Sequence, residues 1–256
     1  MPNSFSNTFS DIMIMVKRNL LRYQRLPRLI VFSFIQPVMF VLLFAFVFGG
    51  AIKSSSSEYI KFLLPGILVQ TVIFGAMQTG VGLADDVSHG MIDRFRSLPM
   101  SRAAVLAGRT ISESLRNFFV IIIMVLVGYT IGFRIEHGFF NFFLGVLLTV
   151  VFGFAFSWVS AAIGLSVKDV ETAQSAGFVW VFPLAFASSI FVPLATLSGV
   201  VKAFAEHNPI SYTVNVVRAL SQGTPVGNDI WYSLIWIIGI LVVFIPLAVN
   251  RYRKIN

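Results

Sequence analysis

The stretch His137–Val167, HGFFNFFLGVLLTVVFGFAFSWVSAAIGLSV, runs for 31 residues without an Asp, Glu, Lys or Arg. A helix rises 1.5 Å per residue, so about 20 apolar residues cross the hydrocarbon core of a bilayer. This run is long enough, and it lacks the strict alternation that a barrel strand requires. Five more charge-free windows of 17 residues or more surround it: Leu29–Ile52, Phe62–Ala84, Asn117–Phe133, Thr172–Val201 and Ile230–Asn250. The expected fold is a single all-α integral membrane domain over 1–256. Its six transmembrane helices are expected at 29–50, 62–84, 110–132, 138–166, 172–194 and 230–250. The third starts ahead of its window, because Ala103–Arg116 continues the helix and Arg116 snorkels toward the interface.

Composition excludes the alternatives. Of 256 residues, 57% are hydrophobic and only 12% charged, against about 25% charged in soluble domains. A water-soluble monomer lacks its polar skin. The absence of Cys excludes disulfides, thiolate metal sites and a Cys nucleophile. The net charge of +8 reads as topology once it is split by side. Basic residues before the first span, in the 85–116 loop, at Lys168 and in the tail make 14 of the 19. Lys53, Lys61, Arg134, Lys202 and Arg218 fall on the other side. The positive-inside rule then puts both termini in the cytoplasm. No basic patch stands on a soluble module, so nucleic acid is not an expected partner. The first apolar run begins after 28 residues and exceeds the about 7–15 residues of a signal-peptide core, so it reads as a span.

Residues 9–25 read as a helix on the inner membrane face. Phe9, Met13, Val16, Leu20 and Tyr23 fall on one side, Arg18, Arg22 and Arg25 on the other. The plainer reading is a basic juxtamembrane stretch that orients the first span. Gln36-Pro37 marks a kink in that span, which ends at Gly49-Gly50. The second span carries Gln70, Gly75, Gln78 and Gly80, either as interhelical glue or as part of a substrate path. Gly128 and Gly132 form a GxxxG pair at the outer end of the third span. Across 189–229, Pro and Gly punctuate a mostly apolar run. Asn208-Pro209 reads as an N-cap followed by proline at the first helical position, and Gly223 as a stop. Two short apolar helices over 195–222, dipping into the outer leaflet, fit this pattern.

The cytoplasmic loop Asp85-Asp-Val-Ser-His-Gly-Met-Ile-Asp-Arg-Phe-Arg-Ser-Leu-Pro-Met-Ser-Arg102 holds a short helix at 90–98. Met91, Phe95 and Leu98 share one apolar face, Asp93, Arg94 and Arg96 point elsewhere, and Pro99 ends it. Ser101 is placed to cap the next helix. An apolar ridge with charged flanks suits a partner's groove. It suits equally well a turn resting on the chain's own helices.

That loop, continued through Ala103-Ala-Val-Leu-Ala-Gly-Arg-Thr110, resembles the permease subunits of ABC exporters of type 2, nearest the daunorubicin-resistance branch. Gln36–Gly50, Ala203–Ile210 and Val217–Leu220 agree with the same branch, so the resemblance spans nearly the whole chain. It implies that 90–98 is a coupling helix docked on a separate ATP-binding subunit through Met91, Ile92, Asp93, Arg94, Phe95, Arg96, Leu98 and Pro99. It implies an interfacial connecting helix at 9–25 and paired re-entrant helices forming an outer gate at Phe204, Asn208, Pro209 and Val214. Two permeases, a homodimer or a pair with a paralogous copy, and two ATPases would move amphipathic drugs, lipids or glycolipids outward. The first, second and fifth spans would rearrange around a path lined by Gln36, Phe40, Gln70, Phe74, Gln78, Phe178 and Phe182. The implied setting is the plasma membrane of a bacterium or archaeon.

An absence fits that division of labour. The chain has no G-x-x-x-x-G-K-[ST] phosphate loop, so ATP and Mg are expected on the partner and no cofactor or metal on this chain. No Asp or Glu lies in the charge-free windows, whereas carriers driven by protons or sodium use intramembrane acids. Two rival classes remain. An intramembrane hydrolase needs clustered catalytic groups, yet His89, His137 and His207 lie in separate loops. A passive channel or membrane scaffold would need no ATP-binding partner.

Overall fold

The structure, a computed structural model, describes residues 4–25, 27–48, 56–96, 101–167 and 169–255, and every regular element among them is a helix. The pillar is α3 (Ser56–Ser88), flanked by α5 (Arg102–Thr130), α6 (Phe139–Gly164) and α7 (Val170–Phe186). The apolar window of α3 is 78% buried inside the protein, whereas that of α10 (Asp229–Lys254) is 22% buried. So α3 is a core helix and α10 faces outward over most of its surface. Four helices, α3, α5, α6 and α10, are long and apolar enough to cross a membrane. With α2 (Pro27–Leu43) and its π-helical extension Phe44–Phe48, they make a multi-pass membrane protein.

Small residues set the tightest crossing. A Cβ on Gly164 would fall inside the Gly80 carbonyl, and one on Gly80 inside that of Ser160. A Cβ on Gly153 would lie 2.7 Å from the Val72 Cβ. Lipid tails give helices no hydrophobic reason to associate, so close backbone contact supplies the attraction between α3 and α6. The Gly128–Gly132 pair does not act this way. Gly128 packs on Leu64 within α5, but Gly132 lies beyond the helix at φ +107°, in the left-handed region.

Two boundaries depart from expectation. The fifth helix, α7, stops at Phe186 rather than 194, three residues after Pro183. A 3₁₀ turn (Leu194–Thr196), α8 (Gly199–Glu206) and α9 (Pro209–Gln222) follow. The Asn208 cap, Pro209 at the helix start and left-handed Gly223 after it behave as the sequence predicts. The third helix is one unbroken rod from Arg102, capped by Ser101, whose side chain accepts the Ala104 N–H at 3.1 Å.

At the inner end α1 (Ser4–Arg25) lies along α5, but rotated from the expected orientation. Met15 and Val16 are buried, Tyr23 is half-buried, and the exposed apolar residues are Phe9, Met13, Ile14 and Leu21. The cause is α5. Gly108 lets its backbone approach Met15, the Ser112 hydroxyl reaches the Val16 carbonyl, and Asp11 accepts the Ser101 N–H at 3.1 Å.

Candidate functional site

A cavity of about 500 Å³ opens between α2, α3, α5 and α7, with α1 at its inner end. Six residues expected on a path, Gln36, Phe40, Gln70, Phe74, Gln78 and Phe178, all line it. Phe182 sits behind them, edge-on to Phe74 at 5.8 Å and to Phe178 at 5.3 Å. On α3 the liners Gln70, Phe74 and Gln78 recur every four residues, which keeps them on one face. Above the cavity the aromatic chain continues. Phe40 stacks on Phe44, Phe44 on Phe191 at 4.7 Å, Phe191 on Phe186 and Phe186 on Phe182. This arc of rings runs away from the α1 end of the cavity.

The inner end is charged. Arg109, Glu113 and Arg116 follow at helical spacing on α5 and all line the cavity. Arg109 pairs with Asp86 of α3, and Arg116 with Glu113 at 2.8 Å. The Tyr23 hydroxyl of α1 donates to the second Glu113 oxygen. Burial, with the Glu113 charge next, pushes the Tyr23 phenol well above its usual range, so it stays a donor. Gly82 and Gly75 make room, since a Cβ on either would overlap Arg109 or Asn117. Sequence reasoning missed this cluster. Glu113 falls inside the helix expected over 110–132, but it stands ahead of the charge-free window at 117, and of the charges there only Arg116 was given a place. The i, i+4, i+7 spacing of Arg109, Glu113 and Arg116 was the available signal.

The loop helix α4 (Met91–Arg96) rests in part on the chain's own helices. Ile92 and Phe95 are buried in the inner core with Leu83, Leu106 and Trp158, Met91 is half-buried, and Arg94 is exposed. Leu98 and Pro99 lie outside the described residues, as do Gly49 and Gly50, and nothing is stated of the Asp93 and Arg96 side chains. Of the gate residues, Asn208, Pro209 and Val214 are buried together, while Phe204 on α8 is largely exposed. The Asn208 amide donates to the Leu184 and Ala187 carbonyls at 2.7 and 2.8 Å, closing the frayed end of α7. Beside it Arg218, half-buried, donates to the Phe62 and Ser189 carbonyls, and the pair ties α9 to α3 and α7. His89, His137 and His207 are not brought together, and among the described residues no three His, Asp or Glu side chains gather as metal ligands.

The family model described as ABC-2 type transporter matches residues 10–221. The chain belongs to the ABC-2 type transporter family. This ABC-2 permease is 34% identical over 239 residues to a daunorubicin resistance ABC transporter permease protein of Streptomyces coeruleorubidus, covering 93% of this chain and 84% of that one. It is 25% identical over 247 residues to a probable doxorubicin resistance ABC transporter permease protein of Mycobacterium tuberculosis, covering 96% and 89%. A putative transport permease of Cyanophora paradoxa is 25% identical over 220 residues, with 82% and 73% covered. The expected family is therefore confirmed. An ABC-2 permease is the membrane subunit of an ATP-driven transporter and not itself the ATPase, which is a separate subunit.

Proposed function

We propose that this permease exports an amphipathic substrate, a drug or lipid with an aromatic or apolar body, through the cavity between α2, α3, α5 and α7. The observation that carries this reading is the cavity's polarity: phenylalanines at the outer end and paired charges at the inner end. An amphipath entering from the inner leaflet finds each half of itself matched. The relatives' printed names, daunorubicin and doxorubicin resistance, support a drug as the cargo.

The working unit in this reading is two permeases and two ATP-binding subunits, with ATP and Mg held by the latter. A second permease copy against α2 and α7 closes the cavity's open side, where Met39, Phe46 and Val179 are exposed. Six spans, with α2 and α7 as the shorter ones, put both termini in the cytoplasm. The ends of α10 support that orientation: Trp231 and Tyr232 suit the outer interface, Arg251, Arg253 and Lys254 the inner. The setting is the plasma membrane of a bacterium, with α8 and α9 resting in the outer leaflet as the gate.

The push from the ATPase enters at α4 and reaches the cavity through α1. Phe95 sits beneath Arg18, and Tyr23, further along α1, holds Glu113 on the cavity wall. Closing of the ATPases shifts the population toward an outward-open state by moving this strap. The test is co-reconstitution with the ATP-binding subunit in liposomes, following an amphipathic fluorescent dye. Dye movement should require ATP and fall severalfold in Phe74→Ala. Movement without ATP would mean a passive channel.

A further inference from the structure

Gln70 is 4% exposed, lines the cavity, and makes no hydrogen bond to any described residue. Three polar neighbours in the wall make bonds of their own. Thr71 donates to the Ile67 carbonyl at 2.7 Å, Ser112 to that of Gly108 at 2.6 Å, and Asn117 accepts from Arg116. The amide is not sealed in the wall: its nitrogen and oxygen open onto the cavity, so whatever fills the cavity is their partner. Fourteen residues from the start of α3, at about 1.5 Å each, Gln70 lies about 21 Å along the helix, within the charge-free window 62–84.

We propose that Gln70 is the hydrogen-bonding contact for substrate at the deep end of the cavity. It selects aromatic amphipaths that bear a neutral hydroxyl or carbonyl oxygen over the same ring system without one. Phe74, one turn inward on the same face, supplies the ring surface. With Phe178 across the cavity, it positions a planar ligand so that a ring substituent points up at the amide. The group is neutral because the charged side chains, Arg109, Glu113 and Arg116, stand at the opposite, inner end and are already paired. An amide both donates and accepts, so it serves a hydroxyl or a carbonyl alike. A site built around a buried polar group rejects the analogue lacking its partner, since the protein group is then left unpaired.

This inference rests on the cavity being the substrate path, and the experiment separates the two. The full-length permease in detergent is titrated with pyrene and with 1-hydroxypyrene, and binding is read by energy transfer from the protein's tryptophans. Wild type should bind 1-hydroxypyrene about tenfold tighter than pyrene, the size expected of one buried hydrogen bond. Gln70→Leu should abolish that preference by weakening 1-hydroxypyrene alone, and Gln70→Asn should restore part of it. A preference that survives Gln70→Leu, or none in wild type, overturns the role of Gln70. Phe74→Ala should weaken both compounds; if it leaves both unchanged, the cavity reading itself fails. Because the Gln70 amide faces the cavity and bonds to no other described residue, Gln70→Leu should fold as wild type does.

Discussion

The guanidinium of Arg18 lies over the ring of Phe95, 4.5 Å from its centroid. This contact joins α1 to α4 and turns the apolar ridge of the loop helix inward. A groove on a partner subunit cannot grip Phe95 without first pulling it out of its own core. The flank of α4 that stays exposed carries Arg94.

Phe95→Ala should therefore act on stability. Deleting a buried phenylalanine costs about 3 kcal/mol or more, so the melting temperature in detergent should drop by several degrees. Arg94→Glu should still elute as folded protein in gel filtration and cut substrate-stimulated ATPase activity of the assembled complex severalfold. If Arg94→Glu leaves stimulation intact, α4 is not where the partner docks.

The Tyr23–Glu113–Arg116 cluster yields a second expectation. Tyr23→Phe keeps the ring and removes only the hydroxyl that Glu113 accepts. It should lower substrate-stimulated ATPase activity while leaving basal activity near wild type. Glu113→Ala strands Arg116, whose side chain is only 12% exposed. Breaking one partner of such a pair costs about 3–5 kcal/mol, whereas replacing both with apolar groups is often neutral. The double variant Glu113→Leu with Arg116→Leu should recover most of the stability lost in Glu113→Ala. Equal melting temperatures for the single and double variants would show that the pair is not coupled.

The α3–α6 crossing makes a sharper prediction. Gly164→Leu drives a side chain into the Gly80 backbone, so folded protein should be lost, as judged by gel filtration in detergent. Gly239 on α10 has nothing within 4 Å of a built Cβ. Gly239→Leu should express and elute as wild type.

At the start of α7, Asp169 accepts the Thr172 N–H at 2.7 Å, and that bond, with the Thr172 hydroxyl, holds its carboxyl below the ordinary 3.8. A depressed folded pKa means the cap's contribution is complete above 3.8 and is lost as pH falls below it. Asp169→Asn can still cap but does not titrate. Its melting temperature should approach that of wild type as the pH is lowered toward 3, and Asp169→Ala should lie below both at neutral pH.

Charge-free windows made the helical membrane fold legible, because hydropathy is a property of each stretch by itself. Caps were legible for the same reason: Ser101, Asn208 and Gly223 act within a few residues of their own position. The cavity-lining glutamines on α3 stood out as a local oddity, amides inside an apolar run. What failed needed a partner distant in sequence. The rotation of α1 is set by Gly108 and Ser112, about 90 residues away, and the inward turn of Phe95 by Arg18. The early end of α7 depends on Asn208, which takes up the carbonyls that the broken helix leaves free.

That last dependence carries the final prediction. Asn208→Ala removes acceptors and donors at once: the Leu184 and Ala187 carbonyls lose the amide, and the Ile210 N–H loses its cap. Each stranded buried group costs about 1–3 kcal/mol, so the protein should be markedly destabilised. Asn208→Asp keeps the cap for Ile210 but presents oxygen to both carbonyls, so it should be no better than Ala. Asn208→Ser restores the cap alone and should recover only part of the loss. If all three variants melt alike, the cap contributes nothing and the two carbonyl bonds carry the junction. If Ser matches wild type, α9 is not held to α7 through this side chain.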